Sequence, residues 1–394
     1  MNSAPVQTPS TTLAGHYTLR PGVRSSVTGH RPALGAGRLG RLLRGQQCEA
    51  VVRTLGNVFT LCAHAHRRTA RLALRAANPH ASFVLPVESP LLLNLETARD
   101  HLRSMALDWP QRQSAATQNA PSLLWLRDCP LSLVSPLQTC APQDAQATLS
   151  QLREWLESRL ERPLQNWLAD HRDADAFAHW CRSCAHDLPP ARCLDKWTPL
   201  ARSLAPQARS LDLLNPNTAV QAIHLQAVAL AMATDPNFVQ RPLWQEQCAE
   251  TGVWTRLRHQ AESGPRTHTA WSRLSARWLE LLEIAAAPES AVEERTDLLS
   301  SGALPLGEGQ AIAWCEMARG LLLHWVQLDP QGRVEDYRVL APTEWNFHPD
   351  GALAHALAAL PEQDTISAWC LAAAFDPCVD CSVMGTAPEE NVHA

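Results

Sequence analysis

Near its end the chain carries a C-x-x-C pair, Cys378 and Cys381, fixed behind Asp376-Pro377 in "FDPCVDC". Cysteines at that spacing serve as zinc ligands, as a redox pair, or as half of a metal site completed from elsewhere. One pair does not close a tetrahedral zinc site. A thioredoxin-like pair stands between a strand and a helix, whereas only a short tail follows here. Partners are therefore expected upstream. "FTLCAHAH" offers Cys62 and His66, four residues apart on one predicted helix, with Phe59 on the same face. Read alone, Cys62 is explained equally well as a small buried hydrophobe on an Ala-rich helix. "MARGLLLHW" contributes Arg319, whose guanidinium can offer several donors to an anionic ligand, although a single Arg is usually a surface residue. A separate cluster, "HWCRSCAHDLPPARC", gathers Cys181, Cys184 and Cys193 with His179 and His186. Zinc is chemically reasonable there, but the simpler account is an amphipathic helix and its exit.

The elements that must position these groups are mostly helical, because Ala and Leu dominate while Tyr and Phe are scarce. Residues 1–12 read as a disordered tail. Residues 13–28 alternate enough for two short strands around Pro21-Gly22. "NVFTLCAHAHRRTARLALRAANPH" predicts one helix ended by Asn78-Pro79, and "LNLETARDHLRSMALDWP" another stopped by Pro110. The charges of "ETARDHLR" read as a solvated face, and the 14 Trp as core and interface anchors. Two further amphipathic helices follow, "DAQATLSQLREWLESRLERPLQNWLADH" and "RLSARWLELLEIAAA". Apolar runs flanking Asp329-Pro330-Gln331-Gly332 signal a C-terminal β-hairpin. The expectation is a mainly α (α+β) fold: a helical bundle with short N-terminal strands, one domain over 13–384 and a C-terminal tail over 385–394.

Composition excludes several classes. The net charge of −5 and the absence of basic runs argue against nucleic acid or an anionic membrane as the main partner. The longest apolar stretch, Val220 to Ala233, carries Gln221, His224 and Gln226 and is too short to span a bilayer. Met1 to Thr12 has no apolar core of a secretion signal. Twelve cysteines without such a signal are expected as thiols or metal ligands in a reducing compartment, the cytoplasm.

Residues 316–381 resemble the last two signature segments of nickel-iron hydrogenase large subunits. The shared order is Arg319-Gly320, His324-Trp325, a Gly hairpin, Tyr337, Pro342-Thr343-x-Trp345-Asn346, then Asp376-Pro377-Cys378-x-x-Cys381. "FTLCAHAH" is similar to the family's C-x-x-C-x-x-x-H with only the second cysteine kept, and "LAGHY" to its early Glu-Gly-His. In that family four cysteines hold a nickel-iron centre whose iron carries two cyanides and one carbon monoxide. The resemblance places Cys62 and Cys381 at the iron-bridging positions and Cys378 at a nickel-only position. The other nickel-only position falls on Phe59, which cannot ligate a metal. A family proton-relay Glu falls on Ala14, the final processing His on Met384, a Ser near the second cyanide on His348, and an Arg on Asp350.

What is kept suits an iron fragment: thiolates, which favour low-spin iron, and donors for buried cyanide nitrogens from Arg319 and from His66 or His348. What is lost is nickel binding, proton transfer and processing. The resemblance therefore implies a HupK/HoxV-type accessory scaffold and not an enzyme. Its expected cargo is iron as Fe(CN)2(CO), without nickel and with zinc possible at Cys181, Cys184, His186 and Cys193. Its expected partners are the maturation proteins that donate the fragment and the hydrogenase large subunit that accepts it. The alternatives are a zinc-stabilised, protein-binding chaperone without iron, and a catalytic subunit, which Phe59 and Ala14 oppose.

Overall fold

The computed structural model describes residues 15–30, 38–78, 87–113, 123–133, 137, 140–260, 268–287 and 299–384. The tails expected over 1–12 and 385–394 lie outside the described residues, as does Ala14.

Strands β1 (His16–Leu19) and β2 (Val27–His30) pair antiparallel across the Pro21-Gly22 turn, as the alternation predicts. The hairpin predicted around Asp329–Gly332 belongs to a larger sheet. Four strands, β3 (Ser301–Gly307), β4 (Gln310–Met317), β5 (Gly320–Leu328) and β6 (Val334–Leu340), form an antiparallel meander. Ala311, Ala313 and Cys315 of β4 face the main apolar core, and Ile312 and Trp314 face a second one. The sheet is thus covered on both sides, by the Ala63–Ala77 helix and by the Thr218–Thr234 helix. Burial on both faces explains why β5 reads as an unbroken apolar run. A last strand, β7 (Asp380–Val383), carries Cys381 into the first sheet, parallel to β1, with Tyr17 opposite it, and Cys378 lies just before the strand.

Three predicted helix boundaries change. The stretch around Cys62 is not one helix: Cys48–Val58 ends at Phe59 (φ −109°, ψ 64°), a 3-10 turn covers Thr60–Cys62, and Ala63–Ala77 begins afresh. Local propensity does not require that break. The buried Phe59 ring lies flat on His66 at 3.8 Å, and Glu96 accepts hydrogen bonds from the His64 and Ala65 amides at the new helix start. Nor does Pro110 stop its helix. Pro90–Arg103 continues through a π turn, Ser104–Asp108, into Trp109–Gln113. The Trp109 amide donates to Ser104, and Pro110 falls at the second position of the resumed helix, where a missing N–H does little harm. Further on, the helix predicted from "DAQATL" divides at Pro163 into Pro142–Leu160 and Leu164–Asp170, while Ala270–Ala286 forms as read.

The indoles are core residues: Trp109, Trp167, Trp278 and Trp345 are among the largest fully buried side chains.

Candidate functional site

The charges of the Pro90–Arg103 helix do not face solvent. Glu96, Arg99, Asp100 and His101 are all buried, each with a tertiary partner. His101 pairs with Glu280 at 2.7 Å, Arg99 donates to the Leu61 carbonyl, and Asp100 receives Arg319 at 2.8 Å. The helix is buried almost all round, so its charges have no solvent side to turn to and are satisfied by other elements.

Asp376 organises the site. It ends the Thr365–Phe375 helix in a left-handed conformation (φ 46°), which a non-glycine residue adopts at some cost. The carboxylate is held there by Arg277 at 2.8 Å, Arg319 at 3.2 Å, Arg112 at 3.6 Å and the Ser104 hydroxyl at 3.1 Å. Burial pushes the Asp376 carboxyl up, but Arg277, Arg319 and Arg112 together hold it well below the usual carboxylate range. This clamp fixes the direction in which Pro377 and Cys378 leave the helix.

The residues of the resemblance have physical work to do around it. Arg319 sits in the β4–β5 turn, and Gly320 (φ 131°) follows because a Cβ there would lie 2.7 Å from Thr251. Asn346 bonds the backbone of Thr251 on both sides, at 3.0 and 2.8 Å. Thr343, one turn earlier, has its hydroxyl 3.1 Å from the Cys378 sulfur. Arg319 uses Nε on Asp376 and Nη1 on Asp100, leaving Nη2 without a partner among the described residues.

A cavity of ≈300 Å³ opens beside this group, lined by Cys378, Cys381, Arg319, Arg112, Asp108 and Trp369. Cys62 lies behind it. Leu61 reaches the cavity wall, and Cys62, itself buried, lies within the electrostatic reach of Glu96, Cys378, Asp100 and Arg319. Burial pushes the Cys62 thiol far up, with Glu96 and Cys378 adding to it, so the thiol is protonated at neutral pH. Burial raises Cys381 too, against the pull of Arg112. The three expected thiols therefore share one region, but with Cys378 as the electrostatic neighbour of Cys62, and Cys381 nearer Arg112 and Asp376.

The remaining candidates are placed differently. His66 does not share a continuous helix with Phe59. It stacks on that ring, and its Nδ1 is 3.0 Å from Nε2 of His324, whose Nδ1 is 2.7 Å from the Tyr337 hydroxyl. Burial lowers His324 to about 3, so that ring stays neutral. The contacts of His348 are the Cys248 sulfur at 3.2 Å and the Asp350 amide at 3.1 Å. Cys181 and Cys193 point into the apolar core of the Ala174–Cys184 and Pro189–Ser203 helices, and Cys184 and His186 lie at the exit of the first. Burial raises Cys181 strongly and Cys193 to about 12. Among the described residues no three His, Cys, Asp or Glu side chains meet as a metal-ligand group.

Glu96 yields a pH prediction. Burial raises it to about 8 from 4.5, against the pull of the two amides it receives. Between those values the unfolded chain has lost the proton and the folded chain has kept it, so Glu96 makes stability fall as pH rises, by up to ~1.4 kcal/mol per pH unit. The contribution is complete below the unfolded value and gone above the folded one. Urea midpoints from pH 5 to 8 are expected to fall less steeply in Glu96→Gln than in the wild type, and equal slopes would refute the assignment.

Residues 236–384 match the family model described as nickel-dependent hydrogenase. The chain is 37% identical to the hydrogenase expression/formation protein HoxV of Cupriavidus necator, over 97% of this chain and 98% of that protein. It is 27% identical to the hydrogenase expression/formation protein HupK of Rhizobium leguminosarum bv. viciae, over 86% and 88%. In fold it resembles the reduced, active nickel-iron-selenium hydrogenase of Desulfomicrobium baculatum, with a TM-score of 0.52 and 13% identity over 89% of this chain and 93% of that one. Fold and sequence agree, and the chain belongs to the HoxV/HupK family of hydrogenase expression/formation proteins, built on the fold of a nickel-iron hydrogenase large subunit.

Proposed function

We propose that this maturation protein holds an iron fragment carrying cyanide and carbon monoxide, through cysteine thiolates, while the fragment is assembled or passed to the hydrogenase large subunit. The observation that carries the reading is Arg319, clamped by Asp100 and Asp376 with Nη2 unpartnered among the described residues, in the wall of a cavity shared with Cys378 and Cys381. A guanidinium so fixed suits the nitrogen of a cyanide, a buried acceptor that needs a donor. Cys378 and Cys381 line the cavity and are the first sulfurs an incoming fragment meets. Cys62 lies deeper, and iron displaces its proton on binding, so acquisition is favoured as pH rises. The Phe59 ring, stacked on His66, leaves no fourth thiolate for nickel. Fewer sulfurs than the final site makes release downhill. The donors of the fragment are other maturation proteins, and the setting is the cytoplasm, where these thiols stay reduced.

Protein purified from a host with the hydrogenase maturation machinery should show infrared stretching bands of bound cyanide and carbon monoxide, and iron without nickel. An intact, folded protein with no such bands would sink the reading. A chaperone role without iron draws on a different observation. The uncharged Thr218–Thr234 helix exposes Ile223 and Leu230 at 63% and 65%, an apolar surface suited to a protein partner.

A further inference from the structure

We infer that Arg112 is a second cargo-orienting residue, the counterpart of Arg319 for the other cyanide of the iron fragment. The inference rests on the function proposed above and adds a residue that neither the signature segments nor the comparisons point to. Arg112 lines the same cavity as Arg319, Cys378 and Cys381, and both guanidiniums are anchored on Asp376. Each uses only part of its donor set on the protein. Arg112 Nη1 donates to the Ala372 carbonyl at 3.3 Å and faces Asp376, and its Nη2 has no partner among the described residues. The field of Arg319 acts on Cys62 and that of Arg112 on Cys381. Two other arginines nearby are not available in this way. Arg277 is bonded to Asp376 at 2.8 Å and is not part of the cavity wall, and Arg103, which is, pairs with Asp108 at 3.3 Å.

The π turn explains how Arg112 gets there. Asp100, Ser104, Asp108 and Arg112 follow one another at intervals of four along one helical run; Asp100, Ser104 and Arg112 bond into the Arg319–Asp376 group, and Asp108 lines the cavity beside it. In a regular α-helix four residues turn ~400°, so each step drifts by ~40° and the last of the four would be carried off the strip. The wider Ser104–Asp108 turn winds more slowly and takes back part of that drift. An extra residue at this point keeps Arg112 on the cavity side of its helix, where a continuous α-helix would turn it away.

The test is infrared spectroscopy with iron analysis on the full chain, co-produced with the maturation machinery, as wild type, Arg112→Gln, Arg112→Lys and Arg103→Gln. In Arg112→Gln one of the two cyanide bands is expected to shift while the other holds, and iron retention to fall about tenfold. Arg112→Lys keeps the charge without the planar fork that aims Nη2, so retention recovers while the band stays displaced. Arg103→Gln leaves both cyanide bands in place. A merely structural role for Arg112 would lower melting temperature and iron content without moving a single band. Bands present in the wild type but unmoved in both Arg112 variants, or moved equally in Arg103→Gln, overturn the inference alone. A wild type without bands overturns the proposed function and this inference with it.

Discussion

Asp376→Ala is expected to be the most damaging single substitution in the chain. It removes the one carboxylate shared by Arg277, Arg319 and Arg112, all largely buried, and leaves only Asp100 to balance Arg319. Deleting one partner of a single buried ion pair costs about 3–5 kcal/mol, since the remaining charge is stranded in a poor solvent. Here three guanidiniums lose a partner at once, so the loss should reach at least that range, a large part of a typical folding free energy of ~5–15 kcal/mol. Asp376→Asn keeps the shape and an acceptor for Ser104 but no charge, and should fall between the two. Asp376→Gly would relieve the left-handed backbone, yet it should recover little, because the strain at φ 46° is worth only ~1–2 kcal/mol. Urea unfolding of the three variants gives the order. A cost below ~1 kcal/mol for Asp376→Ala would show that the clamp does not hold the C-x-x-C segment.

The second large effect concerns cargo and not stability. Cys62→Ser should bring iron content and the diatomic infrared bands to background, since Cys62 is the deep sulfur and a serine hydroxyl is a poor, hard ligand for low-spin iron. The stability change should be small, because the substitution keeps nearly the same volume at a position packed by neighbours. The comparison of Cys378→Ser with Cys381→Ser separates two arrangements. The hydrogenase pattern pairs Cys62 with Cys381, whereas in the fold it is Cys378 whose charge would reach Cys62. If the geometry of the cargo-free chain is the holding geometry, Cys378→Ser removes iron and Cys381→Ser weakens it. If iron draws Cys381 inward, the order reverses. Cys370→Ser, buried in the Thr365–Phe375 helix, is the control expected to retain iron in full.

Much of this protein is legible in its residues before any coordinates. The predominance of helix, the first two strands and the hairpin at Asp329–Gly332 follow from composition, period and turn chemistry. The kept and lost members of the hydrogenase motifs can be read directly as well. Those features are set by the chain's immediate neighbours or by residue identity, which a linear string records. The β3–β4 hairpin was readable too: "ALPLGEGQAIAWCEM" alternates about a Gly-Glu-Gly turn.

The site's second half was not legible, because its cause lies between elements remote in sequence. Glu96 looks like a solvent-facing helix charge until the helix proves buried almost all round and two amides of a distant turn need an acceptor. The break at Phe59, the passage of a helix through Pro110, and β7 pairing with β1 across some 360 residues are each decided by contacts that exist only in the folded core. Sequence identity alone established which sulfurs and which arginine the chain possesses. The tertiary structure decided that Cys378, Cys381 and Arg319 face one cavity with Cys62 buried behind Leu61, and that Arg112 joins them, since a buried charge goes wherever an opposite charge can follow it out of water.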